Sequence, residues 1–540
     1  MFAGSSHEAF SHTCVHRGIL NPSVFPYHSF DISHPCGLTT DDQNIHWSQL
    51  NLDGNHMCNH LASRALLLAG LLSGCAVGPD YQHPRLAAPA DFMGQAQVDA
   101  RPSNRPAELA RWWEGFNDPL LVSLIDEAQE RNLDIEQALA RVRQAKAGLN
   151  AATAALLPSG SIAASAGYMR TTENAGVGAL AHALNQPRDF ESYDGNVVAG
   201  WEIDVFGGLR RGHEAAAADY QASQAGAVAA RLAVAAQVAD IYITIRSLQQ
   251  RIEIARGQVD TQAKLVEMVS LQYRKGIAAE LQLRQAEGVY AQVRATVPVL
   301  ENGLDVAMNA LDVIMGSQPG THRLSLEPVA QIPVAPSIAS AGGPAELLRR
   351  RPDLIIAERR LAASNARIAQ AISEYYPKFS LSGLLGTATG QGSNFLFSGS
   401  ATQAQGFLGL RWRLFDFGRV DAEIKAARGA NAEALAAYKL SVLRASEDVE
   451  NAFSSLVKRE AQERILADGE KSLLRARDAS NAAYKGGVVS LIEVLDADTR
   501  LLATRDARAQ AQTESARAAI SSFRALGGGW DAPQQLVARN

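Results

Sequence analysis

From Val420 onward the apolar residues fall three or four apart, at Val420, Ile424, Ala427, Ala434, Tyr438, Val442, Ala445, Val449, Phe453 and Leu456. That spacing is one stripe of a helix. Alanine dominates the stripe, so a neighbouring helix can approach closely along its length. The preceding residues, Trp412-Arg413-Leu414-Phe415-Asp416-Phe417, alternate large apolar with polar side chains, the period of a strand, until Gly418 ends the alternation. From Gly418 to Tyr484 the chain runs 66 residues (484 − 418) without a proline, about 100 Å if helical throughout. A globule has no use for such a rod. The glycines of Tyr484-Lys485-Gly486-Gly487 permit a sharp reversal, and Val488 to Ala525 reads as a second helix.

The same grammar occurs earlier. Ile203-Asp204-Val205-Phe206-Gly207 leads into a proline-free helical run that ends at Tyr273-Arg274-Lys275-Gly276, and Gly207 to Tyr273 is again 66 residues (273 − 207). Upstream, Asp134 and Pro158 match Asp353 and Pro377, each pair offset by 219 (353 − 134, 377 − 158). Two markers sharing one offset make the chain a tandem repeat of helix, strand, loop, strand, long helix, turn and helix, and such a repeat outranks any local motif. The boundaries it predicts are repeat 1 over 118–316, with strands near 159–170 and 194–206 and a turn near 274–278. A proline-rich connector follows over 317–343. Repeat 2 covers 344–526, with strands near 378–390 and 404–417 and a turn near 485–489, and 527–540 is a tail. Pro298 is expected to kink the returning helix of repeat 1. Arg349-Arg350-Arg351-Pro352-Asp353 reads as a solvated helix start, not a nucleic-acid patch.

The strands have one greasy and one wet face. Val197, Ala199, Trp201, Ile203 and Val205 oppose Gly200, Glu202 and Asp204, while Leu408, Leu410, Trp412 and Leu414 oppose Arg411, Arg413 and Asp416. A half-buried soluble sheet shows the same alternation, but strand runs near the 9–11 residues that cross hydrocarbon also suit a barrel with lipid outside and water within. Four strands cannot close such a barrel, since closure needs about eight. Two copies would supply eight strands and three would supply twelve.

Beyond Leu72 no apolar run near the roughly 20 residues of a membrane-spanning helix is expected. A net charge of −5 over 540 residues gives no hint of nucleic acid. All four cysteines (Cys14, Cys36, Cys58, Cys75) precede position 76, so nothing downstream forms a disulfide or a thiolate metal site. Residues 1–56 hold seven of the twelve histidines without helical period; a metal-binding tract is conceivable, and a disordered leader or a start codon set too far upstream is the plainer reading. From Met57 a different pattern begins: Arg64, the apolar run Ala65 to Leu72, then Leu72-Ser73-Gly74-Cys75. This looks like a bacterial lipoprotein signal over 57–74, with Cys75 as the lipidated residue opening a periplasmic arm over 75–117. Two or more acyl chains hold a protein stably on a membrane, and Ala76 after the cysteine points by resemblance to the outer membrane.

With Trp112-Trp113, Asp118-Pro119-Leu120, Arg351-Pro352-Asp353-Leu354, Ala357-Glu358-Arg359, Tyr376-Pro377, Phe415-Asp416-Phe417-Gly418, Tyr484-Lys485-Gly486-Gly487 and Gly527-Gly528-Gly529-Trp530 in place, the chain resembles the TolC-like outer-membrane efflux channels, NodT-type lipoprotein branch, from about Cys75 to Trp530. The resemblance implies a mostly helical mixed α/β membrane protein: a homotrimer with a twelve-stranded transmembrane β-barrel continued by a periplasmic α-helical barrel. It implies docking of a periplasmic adaptor and an inner-membrane RND-type transporter, contact with outer-membrane lipid, and no cofactor, no metal and no nucleic acid.

The family's aperture acids map onto Glu493 and Asp496, three apart on one helix face. The matching first-repeat positions, Gln282 and Gln285, are uncharged. The adaptor-contacting tips map onto Lys275, Gly276 and Ile277 and onto Gly486, Gly487 and Val488; a plain helix reversal also explains their glycines. The function implied is a passive exit duct for drugs or other small molecules, with a protein-secretion duct of a type I-like system as the alternative. A pore-less periplasmic spacer is opposed by the strands. An enzyme is opposed by the lack of further ligands near His213-Glu214 and of any downstream cysteine nucleophile.

Overall fold

The structure, a computed structural model, describes residues 76–85, 91–101, 107–174, 176–185, 187–338, 343–390 and 392–531. The leader 1–56, the signal 57–74 and Cys75 lie outside the described residues, as does 532–540. In chain order the main elements are α1 (Pro119–Arg131), α2 (Leu133–Ala154), β1 (Ser159–Arg170), β2 (Asp189–Ile203), α3 (Gly208–Arg274), α4 (Glu280–Ile314), α5 (Pro352–Ser373), β3 (Lys378–Thr389), β4 (Thr402–Arg411), α6 (Arg419–Lys485) and α7 (Leu491–Ala525).

Corresponding elements of the two halves are equal in length: 22 residues for α2 and α5, 12 for β1 and β3, 67 for α3 and α6, and 35 for α4 and α7. Elements up to the first strand are offset by 219 (352 − 133, 378 − 159), and those from the long helix onward by 211 (419 − 208, 491 − 280). The second half is shorter only between its first strand and its long helix. Both long helices start in the same way. Gly207 and Gly418 hold left-handed backbone (φ 79° and 85°) just before the first turn, and an aspartate accepts its free N–H groups. Asp204 takes Leu209 N at 3.1 Å and Arg210 N at 2.8 Å, and Asp416 takes Val420 N at 2.8 Å.

At the waist the short helices stack end to end on the returning helices. Asn132 accepts from Asp134 N and Ile135 N at the start of α2 and donates to Ile314 O at the end of α4 (2.8 Å). In the second half Arg351 fills that role, donating to Ala525 O and Ala445 O (both 3.3 Å) and pairing with Asp448 (2.9 Å). Arg351 is therefore an inserted splice between helices rather than part of a solvated start, because carbonyls at a helix end need donors. Gly316 and Gly527 lie beside these splices with φ of 70° and 71°. A Cβ would come 2.6 Å from Arg131 O and 2.8 Å from Arg350 O respectively. Gly527→Ala combines a left-handed conformation costing about 1–2 kcal/mol with a backbone collision. It is expected to lower the thermal unfolding midpoint measurably, whereas Gly429→Ala, where a Cβ meets open space, lowers nothing; equal midpoints would count against the splice.

Around these splices sits the main core. Trp112 stacks on Phe523 (5.6 Å, 8°), Tyr242 is fully buried, and Tyr242 Oη donates to Asp118 Oδ2 at 2.5 Å. Asp118 also caps α1 through Leu120 N and Leu121 N. In the connector, buried Asp312 accepts from Gly320 N (2.6 Å) and His322 N (3.1 Å) and contacts His322 Nδ1 (2.7 Å), holding that segment against the end of α4. Contrary to expectation, an 18-residue window of α3 reaches a mean hydropathy of 1.5, enough by composition for a membrane span. Half of it is buried, and α3 supplies Val234, Val238, Tyr242 and Ile243 to the waist core. α4 is one continuous helix through Pro298.

The strands form one antiparallel sheet, β1-β2-β3-β4. Registers such as Ile162↔Val197, Val197↔Leu385 and Leu385↔Ala404 place apolar residues on one face, and Ser165↔Asp194, Glu202↔Ser380 and Lys378↔Arg411 place polar ones on the other. On the polar face Asp194 holds Ser165 Oγ and Asn196 Nδ2, and Gln403 donates to Asn196 Oδ1 (2.8 Å). Three sequence expectations need correction. β2 begins at Asp189 rather than 194 and stops at Ile203. β4 ends at Arg411, so Trp412 to Phe417 are not strand; Asp416 is taken by helix capping and Phe417 has φ 53°. The polar loop between β1 and β2 contains a helix, Gly176–Ala183.

Candidate functional site

Neighbour relations place the helices in a curtain. In the upper half α2, α3, α5 and α6 pack in that order, and in the lower half α4, α3, α7 and α6 do. α3 has neighbours on both sides and buries residues as far down as Val269. α6, of the same length, stands at the edge and buries nothing after Leu456. Leu443 and Ile465 on α6 remain about 70% exposed (69% and 72%). β1 and β4 are likewise the unpaired edges of the sheet, which a lipid-spanning sheet cannot leave open.

The lower ends of the hairpins are built alike. Gly276 (φ 71°) and Gly487 (φ 74°) follow the helices. Ile277 N bonds Gln272 O and Gly276 N bonds Tyr273 O (both 2.9 Å), while Val488 N bonds Ala483 O (2.9 Å) and Gly487 N bonds Tyr484 O (3.0 Å). This is the 6→1, 5→2 pattern of a Schellman turn, whose next residue usually packs its apolar side chain inward. Here Ile277 and Val488 are 73% and 79% exposed, so each hairpin ends in an unpartnered apolar tip beside Lys275 or Gly486. The hairpins are joined just above by a small core of Leu265, Val269, Leu283, Ala286, Leu491 and Leu495, and by Tyr484 Oη donating to Gln272 Oε1 (2.8 Å). That cross-hairpin bond had one sequence trace, a tyrosine two residues before the glycine pair.

The expected aperture residues sit within the first two turns of the returning helices. Glu493 accepts from Ser490 N (3.4 Å) and Gln282 from Ala279 N (3.1 Å), so both are spent on capping their own helices. Asp496 is exposed and pairs with Arg500 at 2.9 Å. Gln285 is half-buried, and its Oε1 finds no partner among the described residues. Glu493 and Asp496 share an exposed face of α7, but in one chain nothing brings them to a common centre.

Next to them, sequence reading missed Asp498, which is buried and whose Oδ1 has no hydrogen-bond partner among the described residues. Burial pushes its carboxyl above the ordinary 3.8, opposed by Arg477 and Arg505 and assisted by Asp478. The folded chain therefore binds this proton more tightly than the unfolded one, and stability falls as pH rises from 3.8 through the raised value. Asp498→Asn is expected to raise the unfolding midpoint at neutral pH and to leave it unchanged below the ordinary carboxylate range. No gain at neutral pH would refute this.

At the other end of α3, the arm after residue 75 is tied down. Val77 N bonds Phe206 O (3.2 Å), Arg211 pairs with Asp80 (2.6 Å), and Tyr81 donates to buried Glu358 (2.5 Å). Ala76 lies so close to Gly207 that a Cβ there would be 2.9 Å from its Cα. The described chain therefore begins at the junction of strand and helix.

This architecture recurs in known proteins. The family model "outer membrane efflux protein" matches residues 124–317 and 343–528, one stretch in each repeat. The pyoverdine export outer membrane protein OpmQ of Pseudomonas putida is 31% identical over 432 residues, covering 78% of this chain and 88% of its own. Nodulation protein T of Rhizobium leguminosarum bv. trifolii is 27% identical over 461 residues, covering 85% and 96%. The solved outer-membrane channel OprN superposes with a TM-score of 0.76 at 31% identity, over 84% of this chain and all of that one. With four strands feeding four long helices in two like halves, the chain belongs to the outer membrane efflux protein family, and it serves as the outer-membrane channel of an efflux system, a duct rather than an enzyme.

Proposed function

We propose that three copies of this chain close one twelve-stranded barrel and one helical tunnel that passively conducts small molecules outward, coupled at its lower end to a periplasmic adaptor and an inner-membrane RND-type transporter. The observation that carries this reading is the contrast between α3, which buries residues along its length, and α6, which buries none below Leu456, repeated in the open strand edges β1 and β4. Small molecules are favoured because relatives carry names such as pyoverdine export protein and toluene efflux pump outer membrane protein TtgF.

In this reading Lys275, Gly276 and Ile277 with Gly486, Gly487 and Val488 are the adaptor-contacting tips. Threefold symmetry turns Glu493 and Asp496 into acidic rings, next to the neutral positions Gln282 and Gln285. Cys75 carries the lipid, and the tethering of Val77 to Phe206 beside the strand ends supports an acyl chain entering the bilayer there. Planar-bilayer recording of the purified protein tests the duct. The wild type is expected to conduct with a preference for cations, and Glu493→Ala combined with Asp496→Ala to lose that preference while still conducting. Absence of any conductance, or unchanged selectivity in the double variant, would sink the reading.

A further inference from the structure

In the lower wall a groove of about 540 Å³ opens where α4, α3 and α7 meet. Its sides are mainly apolar, built by Ile254, Val293, Leu300 and Leu502, with Thr296 and Thr499 among them. Two glutamines of α3 line it. Gln262 is fully buried, and neither its Nε2 nor its Oε1 finds a hydrogen-bond partner among the described residues; Gln258 is 7% exposed with Nε2 likewise unpartnered. Each unmet buried amide group costs about 1–3 kcal/mol, so a structural role alone gives no reason for two such residues one helical turn apart.

Charge at the groove is balanced. Arg251 at the rim is held by Asp506 through two bonds of 2.6 and 3.2 Å, so the wall offers no free charge to an ionic ligand. The second repeat does not reproduce the feature. The positions 211 further on are Gly469 and Leu473, and the adjoining wall is closed by Arg505–Glu470 and Arg508–Glu463 ion pairs (3.0 and 3.1 Å). Of the three helices that form the groove, α3 and α7 are inner members of the curtain and α4 is its outer member.

We propose that this groove is a binding site for a small neutral amphiphile: an apolar body against α4 and α7, and an amide-like group, both donor and acceptor, against Gln262 and Gln258. The volume is in the range of drug-sized ligand sites, which combine apolar walls with a few polar anchors. The site lies along the helices away from the tips, and repeats once per chain.

The test uses dansylamide, a neutral fluorophore with a donor–acceptor sulfonamide, titrated into the full-length protein in lipid nanodiscs, with empty nanodiscs subtracted. Saturable binding of the wild type is expected. Ala295→Trp, which plugs the groove from its exposed side, and Gln262→Leu, which keeps the volume and removes the amide, are each expected to weaken it by about tenfold or more. Both variants should retain channel conductance, which shows that they fold. No saturable binding by the wild type means that water alone serves the amides and overturns the proposal. Binding unchanged in Ala295→Trp places the probe elsewhere and overturns it too. Binding lost in Ala295→Trp but intact in Gln262→Leu leaves only an apolar cleft and refutes the recognition claimed for the amides.

Discussion

Leu385→Arg is expected to eliminate assembled channel, while Leu384→Arg, one residue away, leaves assembly intact. Leu385 shares its face with Val197 and Ala404, whereas Leu384 sits opposite Val198 and Gln405 on the face that carries Asp194 and Asn196. If the apolar face meets lipid, an arginine near the middle of a strand costs about 2–4 kcal/mol for each copy, and three copies multiply the effect. On the wet face the same side chain stays in water. The yield of detergent-stable oligomer from outer membranes reads the difference. Equal losses from both substitutions would mean that the sheet is buried on both sides, and equal tolerance would mean that neither face meets hydrocarbon.

The second large effect concerns Phe417. Phe206 stacks on Tyr376 at 4.6 Å, joining the start of α3 to the end of α5 across the two repeats. The equivalent residues, 211 after Phe206 and 219 before Tyr376, are Phe417 and Leu157, and both are bare, at 101% and 61% exposure. They lie at opposite edges of the chain, so in the proposed assembly the pseudo-symmetry would bring Phe417 of one copy onto Leu157 of the next. Burying an aromatic of this size is worth about 1.5–3 kcal/mol per contact. Phe417→Asp is expected to shift detergent-solubilised protein from oligomer towards single chains on dilution. Phe206→Asp instead is expected to lower the unfolding midpoint without dissociation, because its contact lies inside one chain. Identical behaviour of the two variants would remove the proposed contact between Phe417 and Leu157 of neighbouring copies.

Much of this was legible in the sequence because the repeat made every marker count twice. The equal intervals from Gly207 to Tyr273 and from Gly418 to Tyr484 announced equal rods, and alanine stripes announced close packing. The errors fell where a local pattern answered to the needs of a helix terminus. Trp412 to Phe417 alternate as a strand does, yet the free N–H groups of α6 recruit Asp416 and bend the chain out of the sheet. Arg351 stands in a basic run, yet the last carbonyl of α7 and a carbonyl of α6 draw it inward.

The tip chemistry was only partly readable. Spacing put Glu493 and Asp496 on one face, but spacing does not reveal that Glu493 caps its own helix. Nor does it reveal that Asp498, two residues past Asp496, is the buried carboxylate. The orphaned amide of Gln262 had no signal at all, since a glutamine on a long helix is ordinarily a solvated one.

The duct and both assembly predictions depend on a sheet whose first and last strands find partners on sibling chains. The mass of the protein component in the purified, detergent-solubilised particle tests that most directly. Three chains in one elongated particle is the expected result. A stable single chain that stays in solution without detergent would contradict it.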